Sequence, residues 1–255
     1  MSPKTQITHN FETIWISDVH LGSKGAKALE LLHFLSITDS KKLYLVGDII
    51  DCWRLRKRWY WPQEHNDVMQ KIMEKSRAGT EVIYIPGNHD DLIRQFVEHK
   101  FGEIQIVMDH IHTTKNGKRL WVMHGDLFDS VIQHVRWLAF IGDGLYTILL
   151  GLNGVLNAIR RLFRLEYWSL SKYLKHKVKQ AVSFLSAFET GLINETRKRG
   201  CEGVVCGHIH KAEIKFIDGL IYANDGDWVE SKTALTEDEE GVISLIDYDD
   251  FISGK

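Results

Sequence analysis

Five short clusters of aspartate, asparagine and histidine contain the residue types in this chain that are best suited to chemistry. Each cluster follows a short apolar run, and all but the first contain a glycine, where the backbone can turn sharply or approach a ligand closely. In chain order they are Asp18-Val19-His20, Gly47-Asp48-Ile49-Ile50-Asp51, Gly87-Asn88-His89-Asp90, His124-Gly125-Asp126 and Gly207-His208-Ile209-His210. Strand alternation would place Asp18 and His20 on one face, so that a carboxylate and an imidazole converge.

Together the clusters form a ligand set for divalent metal ions. Carboxylates, imidazoles and one neutral amide oxygen suit Mn, Fe, Zn or Co, and the set contains no thiolate. The seven candidate ligands, enough for two ions, are Asp18, His20, Asp48, Asn88, His124, His208 and His210. One carboxylate must then bridge, and Asp48 directly follows the second apolar run. Two such cations lower the pKa of a bound water and clamp the oxygens of an in-line displacement at phosphorus, which predicts phosphoryl hydrolysis.

The apolar runs before the clusters are typical of buried strands. They cover residues 13–17, 43–46, 81–85, 120–123 and 203–206. Helical patterns at 27–35 and 66–77 lie between them, so the first half alternates strand and helix as layered α/β proteins do. Further strands are predicted at 213–217, 220–223 and 242–247, with Asp218-Gly219 as a hairpin turn. The polar clusters are therefore expected along one rim of a sheet.

Residues 130–199 lack a strand pattern and show helical periodicity. We therefore predict one domain, residues 1–255, with a helical insertion at 130–199. Apolar residues recur at three- and four-residue steps from Leu145 to Phe163, and basic residues are abundant between 155 and 180. Such a segment would form a lid that rests on an anionic membrane surface or covers an acylated substrate. A helical hairpin that only packs on the core is the alternative.

Composition limits the class of partner and the compartment. The 255 residues include 32 basic and 34 acidic ones, without the positive excess that duplex nucleic-acid binding usually requires, so no nucleic-acid partner is expected. The three cysteines are odd in number and form no CxxC pair, which fits a reducing compartment. No apolar run suggests a signal peptide or a membrane span, so we expect a cytoplasmic protein.

In this order, DVH, GDIID, GNHD, HGD and GHIH resemble the signature of the calcineurin-like metallophosphoesterases over residues 14–210. The resemblance implies a four-layer α/β/β/α sandwich and a metal-dependent hydrolase. It assigns one metal to Asp18, His20, Asp48 and His210, and the other to Asp48, Asn88, His124 and His208. It also implies that His89 stabilises or protonates the leaving group, with Asp90 as the residue that orients it.

The inserted segment and the sequence Gly226-Asp227-Trp228-Val229-Glu230 resemble the UDP-2,3-diacylglucosamine pyrophosphatases of the lipid A pathway. Of the metals that the ligand set suits, we expect manganese. The resemblance implies cleavage of UDP-2,3-diacylglucosamine to UMP and 2,3-diacylglucosamine 1-phosphate. It also implies acyl chains held by the lid and a peripheral position at the inner membrane. The best-known branch of that family has GNRD where this chain has GNHD, so this chain represents a related branch whose substrate is open.

Residues 54–61, RLRKRWYW, combine four cations with three aromatic residues close to the expected metal rim. Arg54, Arg56, Arg58 and Trp59 are candidate substrate contacts that would hold a phosphate and stack on a base or sugar. An arginine-rich helix packed through its tryptophans is the equal alternative.

Three other functions are compatible with these residues. One is a general phosphodiesterase or phosphatase acting on a soluble nucleotide or a phosphoprotein. Another is a metal-binding scaffold without turnover, and the third is a nuclease, against which the near-neutral charge argues. The sequence carries no signal for the oligomeric state.

Overall fold

The computed structural model of the chain describes residues 9–128, 160, 163 and 170–254. The chain divides into two compact units, Met1–Leu127 with Leu192–Lys255, and Phe128–Gly191. Most of the predicted insertion falls in the second unit. Its apolar stripe from Leu145 lies, except for Phe163, outside the described residues, and so do the basic residues Arg161 and Arg164. The lid therefore stays a prediction.

The described residues form twelve strands and five α-helices. In chain order the strands are β1 (His9–Ile16), β2 (Thr38–Leu45), β3 (Glu81–Tyr84), β4 (Lys100–Phe101), β5 (Ile104–Ile106), β6 (Asp109–Thr113), β7 (Arg119–Met123), β8 (Gly203–Cys206), β9 (Glu213–Ile217), β10 (Leu220–Asn224), β11 (Thr233–Glu237) and β12 (Ile243–Asp247). The helices are α1 (Ala28–Ile37), α2 (Cys52–Lys57), α3 (Gln63–Arg77), α4 (Leu170–Lys198) and α5 (Tyr248–Ser253). Two 3₁₀ turns cover Ile93–Phe96 and Asp126–Phe128.

The strands form two sheets in the first unit. The seven-stranded sheet has the order β12-β11-β1-β2-β3-β5-β4, and its central strands β1, β2, β3 and β5 run parallel. The five-stranded sheet has the order β6-β7-β8-β10-β9, with β7, β8 and β10 parallel. Parallel neighbours matter for function because their carboxyl ends meet at one edge of the sheet.

Strand alternation divides the apolar residues of the first sheet between two cores. Ile14 and Ile16 belong to the core that contains Phe34 of α1 and Ile72 of α3. Trp15, between them in sequence, belongs to a second core that contains strand residues of the five-stranded sheet such as Leu120, Val122 and Val205. Helices pack on one face of the first sheet and the second sheet packs on the other. The predicted α/β class with packed layers is confirmed.

The structure differs from the sequence prediction in one polar strand. The segment Thr233–Glu237 is strand β11 and is buried throughout, although no strand was predicted there from the sequence. β11 pairs with β1 and β12 on its two sides, and these long-range pairings outweigh its weak local pattern. A turn follows β11, where Gly241 N–H donates to the Asp238 carbonyl.

The arginine-rich segment also differs from a single helix. α2 ends at Lys57, and Arg58 already has extended backbone, so Trp59 to Trp61 lie beyond it. Among the helices in the described part of the chain, none is long and apolar enough to cross a membrane.

Candidate metal centre

The five polar clusters lie where parallel strands end. Asp18 follows β1, Asp48 follows β2, and Asn88 follows β3, while His124 and His208 follow β7 and β8 of the other sheet. Backbone hydrogen bonds join the ends of neighbouring strands, such as Asp18 N–H to the Gly47 carbonyl at 2.9 Å and Gly207 N–H to the His124 carbonyl at 3.1 Å. The rim predicted from the sequence is therefore the carboxyl edge of both sheets.

Five of the seven candidate ligands have a backbone conformation that residues other than glycine rarely adopt. Their φ angles are positive, between 49° and 71°, and the residues are Asp18, His20, Asp48, His208 and His210. Each such residue costs about 1 to 3 kcal/mol and persists only where surrounding structure imposes it. Concentration of this strain in one ligand set points to a functional centre.

The first group of ligand atoms comes from Asp18, His20 and His210, whose atoms lie within 4.8 Å of one another. Asp18 Oδ1 lies 2.9 Å from His210 Nε2 and 3.7 Å from His20 Nε2. His20 Nε2 also lies 3.8 Å from Asp48 Oδ2. One cation at this position would meet two imidazoles and carboxylate oxygens.

The second group consists of Asp48, His124 and His208, again within 4.8 Å. His124 Nε2 lies 3.5 Å from Asp48 Oδ2, while its Nδ1 lies 2.7 Å from the Val46 carbonyl. Donation from Nδ1 to that carbonyl leaves Nε2 as the ligand atom, which is the usual way in which the outer hydrogen bond of a metal-binding histidine selects its tautomer. Asp48 thus lies between the two groups, as a bridging carboxylate must.

Asn88 reaches the same place on the loop that follows β3. A Cβ added to Gly87 would lie 2.3 Å from Asp48 Oδ1 and 2.7 Å from His124 Nε2, so only glycine lets the loop come this close. His89 N–H donates to Asp48 Oδ1 at 2.7 Å. The structure therefore brings six of the candidate ligands together in two groups and places the backbone on both sides of Asn88 beside Asp48. Their assignment to two ions stays a proposal.

Buried polar atoms that make no hydrogen bond test whether divalent cations fit these residues. Six ligand atoms are among the buried polar atoms that make no hydrogen bond within the described part of the chain, and several of them face one another as ion pairs at 2.9 to 3.8 Å. They are Asp18 Oδ1, His20 Nε2, Asp48 Oδ2, Asn88 Oδ1, His124 Nε2 and His210 Nε2. Buried polar atoms are nearly always paired in native proteins. These atoms belong to the ligand set, and their nitrogen and oxygen chemistry suits divalent cations.

The metal-free centre holds strongly interacting charges. Burial alone would lower the pKa of His20, but the Asp18 and Asp51 carboxylates outweigh it and raise that pKa to about 9. Burial alone would also lower the pKa of His124, but the Asp48 charge outweighs it and raises that pKa to about 10. The pKa of Asp48 falls to about 2, since the His124 charge overcomes the cost of burial. Cations would take the place of the protons on these imidazoles.

His89 is held by a different acid from the expected one. His89 Nδ1 lies 3.0 Å from Asp51 Oδ1, whereas Asp90 accepts hydrogen bonds from the backbone N–H groups of Ile49, Ile50 and Gly87. The expectation that Asp90 orients His89 is therefore corrected. Asp90 instead clamps the loops of two ligand clusters together, and burial followed by the nearby Asp48 charge raises the pKa of its carboxyl to about 6.

Helix α2 contributes one aromatic residue, Trp53, which directly precedes the arginine-rich segment and was not among the candidate substrate contacts. The Trp53 ring lies against the His89 ring, with centroids 4.3 Å apart, and is 43% exposed. Trp53, Arg56 and Lys57 line a cavity of about 290 Å³. The sequence signal that could have identified Trp53 was its position two residues after Asp51, on the first turn of α2.

The four residues proposed as substrate contacts are arranged unequally around the centre. Arg54 Nε lies 3.2 Å from Asp51 Oδ2, while Arg56 donates to Asp91 Oδ2 at 2.8 Å. Arg58 is exposed, and Trp59 is 73% exposed with its ring near that of Trp61. Arg54 is thus the one of these four that directly contacts an acid of the site.

Comparison with known proteins agrees with this geometry. Residues 12–212 match the family model described as calcineurin-like phosphoesterase. A UDP-2,3-diacylglucosamine hydrolase of Neisseria meningitidis serogroup B is 24% identical over 226 residues, which cover 84% of this chain and 88% of that protein. A Porphyromonas gingivalis protein of the same name is 28% identical over 121 residues, 43% of this chain and 44% of that protein.

A solved structure of an archaeal phosphodiesterase covers 92% of this chain and 98% of its own, at 12% identity and a TM-score of 0.44. That similarity is too weak to carry an argument. The family model spans most of the chain and includes all five polar clusters. With its hydrolase-named relatives and its clustered metal ligands, this chain belongs to the calcineurin-like phosphoesterase family and is a hydrolase.

Proposed function

We propose that this chain hydrolyses UDP-2,3-diacylglucosamine to UMP and 2,3-diacylglucosamine 1-phosphate, using two manganese ions. The observation that carries the chemistry is the pair of ligand groups that meet at Asp48. The choice of substrate is supported by the names of the Neisseria and Porphyromonas relatives. Manganese is proposed because oxygen and imidazole ligands without thiolate suit it.

We propose that His89 donates a proton to the leaving oxygen. Its Nδ1 faces Asp51, and its buried Nε2 has no hydrogen-bond partner within the described part of the chain. When bound, the two cations supply an activated water and polarise the phosphoryl oxygens. Asp51 keeps the imidazole in one orientation, so Nε2 is the atom that carries the transferred proton.

Trp53 and the cations of α2 lie on the helix that begins directly after Asp51, the acid that faces His89. We propose that Trp53 packs against the departing sugar phosphate and that Arg54, Arg56, Arg58 and Trp59 contribute contacts along the same helix and the segment after it. Support comes from the Trp53 ring against His89 and from the cavity that Arg56 and Lys57 share with it. Arginine is suited to phosphate because it can form two parallel hydrogen bonds.

The inserted segment, residues 130–199, is proposed to hold the acyl chains and to rest on the inner leaflet from the cytoplasmic side. The support is its pattern of basic and apolar residues, as read from the sequence. In this proposal the acyl chains contribute binding energy, so removing them from the substrate should raise KM strongly.

The test measures UMP release from UDP-2,3-diacylglucosamine by the manganese-loaded protein. UDP-N-acetylglucosamine serves as the substrate without the two long acyl chains, and bis(p-nitrophenyl) phosphate as a small diester. Preference for the acylated substrate supports the proposal, whereas cleavage of the small diester alone would keep the hydrolase and reject the lipid substrate.

The matched variants are His89→Ala and His99→Ala. His99 is an exposed histidine whose Nδ1 contacts the carbonyl of Val97, in its own loop. His89→Ala should reduce kcat by about 10² to 10⁴-fold and leave manganese content unchanged, while His99→Ala should match the native protein. Equal rates for the two variants would remove His89 from the mechanism.

A further inference from the structure

The two oxygens of Asp18 have different surroundings. Oδ2 accepts the His208 backbone N–H at 2.7 Å and lies 2.8 Å from Ser17 Oγ, a hydrogen-bond distance. Oδ1 instead faces two candidate ligands, at 2.9 Å from His210 Nε2 and 3.7 Å from His20 Nε2. The carboxylate is therefore oriented by contacts at Oδ2, which leaves Oδ1 as its metal-binding atom.

Ser17 is in turn held by a second buried acid. Ser17 Oγ lies 2.5 Å from Asp225 Oδ1, and Asp225 is fully buried at the end of β10. The Asp225 backbone is tied at both ends, since its N–H donates to the Cys206 carbonyl and its own carbonyl accepts from Thr233 Oγ1 at 2.7 Å. Asp225 is thus a rigid support for the Ser17 hydroxyl.

The space around the Ser17 hydroxyl is closed. A Cβ added to Gly207 would lie 2.2 Å from Ser17 Oγ and 2.7 Å from Asp18 Oδ2. Gly207 therefore lets its strand end press against both groups. The backbone at Gly207 therefore blocks movement of the Ser17 hydroxyl towards it and restricts the geometry of Ser17, Asp18 and Gly207.

We propose that Asp225 and Ser17 are positioning residues that orient Asp18 through one continuous contact chain and thereby control metal affinity at the Asp18, His20 and His210 position. Neither contacts the substrate or the reacting atoms. Groups that orient a metal ligand from outside typically change metal affinity by 10 to 100-fold. The second ion, whose proposed ligands are Asp48, Asn88, His124 and His208, should be unaffected. This inference depends on the metal centre and not on the proposed lipid substrate.

The first experiment titrates metal-free Ser17→Ala with Mn²⁺ by isothermal calorimetry and compares it with the native protein. We expect two classes of sites, one about 10 to 100-fold weaker than in the native protein and one unchanged. The control is Ser76→Ala, because Ser76 is another buried serine, on α3, whose Oγ has no partner within the described part of the chain. It should bind both ions with native affinity.

The second experiment asks whether Asp225 acts through Ser17. Asp225→Ala should weaken the same site less than Ser17→Ala does, because the hydroxyl remains but loses its support. Adding Asp225→Ala to Ser17→Ala should bring no further loss of affinity, since residues in one contact chain are not additive. Thermal unfolding of the metal-free variants separates loss of affinity from loss of fold.

Three results would overturn the proposal. The first is native affinity at both sites in Ser17→Ala, which would make the contact purely structural. Another is equal weakening of both sites, and the last is an additive effect of the two substitutions. Failure of the lipid assay with the expected metal affinities would reject the substrate and leave this inference standing.

Discussion

At the scale of single residues, Asp51 is the acid that faces His89, a role that the sequence analysis gave to the adjacent Asp90. One of its oxygens faces His89 Nδ1, and the other lies 3.4 Å from His20 Nδ1. Its Oδ1 also accepts the Arg54 backbone N–H and so caps α2. Burial opposes ionisation of Asp51, but His20 and His89 outweigh it and lower the pKa of the carboxyl. A single carboxylate therefore couples a candidate metal ligand, the proposed proton donor and the helix that carries Trp53.

Asp51→Asn should reduce kcat because it removes the charge that holds His89 while keeping a side chain that can cap α2. The expected loss is about 10²-fold with leaving groups that need a proton, and much less with p-nitrophenolate, which leaves unprotonated. Steady-state rates over a series of leaving groups measure it. Asp67→Asn, the same change on the surface of α3, is the control. An equal loss across the whole series would argue against proton donation by His89.

At the scale of elements, the unpredicted strand β11 connects the two sheets through one buried acid. Glu237 Oε2 lies 2.9 Å from His112 Nε2 on β6 and accepts the Thr13 hydroxyl of β1. His110 and His112 lie on the hairpin strand β6, where both contact the Tyr44 hydroxyl. This network lies within the layered core, since Trp15 packs edge-on against His112.

Glu237→Ala should lower the free energy of unfolding by about 3 kcal/mol, because removing one partner of a buried pair leaves the other uncompensated. Urea unfolding of metal-free protein measures the change, with Glu239→Ala in the exposed turn as the control.

The stabilisation by Glu237 should depend on pH. Burial would raise the pKa of Glu237, but His112 and the Lys115 N–H outweigh it and lower that pKa from 4.5. Its contribution is therefore present above pH 4.5 and lost as pH falls, so the variant and the native protein should converge in acid. A constant difference at all pH values would contradict this.

At the scale of the whole molecule, stability and metal occupancy are linked through the histidines. In the metal-free protein the pKa values of His20 and His124 lie above 6.5, at about 9 and about 10. A raised pKa gives stability that is fully present below 6.5 and is lost as pH rises through 9 to 10. Cation binding must displace these protons, so metal affinity rises over the same interval.

The increase in Tm caused by saturating Mn²⁺ should therefore be larger at pH 8.5 than at pH 6. The cause is a single proton linkage, because alkaline pH removes the protons that stabilise the metal-free state and thereby strengthens metal binding. Differential scanning fluorimetry with and without Mn²⁺ at each pH measures the difference. His33→Gln is a suitable control, since His33 contacts Tyr248 away from the ligand clusters. An increase in Tm that is independent of pH would show that cations bind without displacing protons.

Local patterns in the sequence determined the strands that end at the metal centre and the α/β class, because apolar runs and turn residues act over a few positions. They also located all the proposed ligands, since each follows its strand directly. Tertiary structure alone decided which acid holds His89, because Asp51 lies 38 residues away while Asp90 is adjacent. It also decided that polar β11 is buried and that Ser17 meets Asp225 across 208 residues. These contacts depend on the order and register of strands in the two sheets, which a local pattern does not encode.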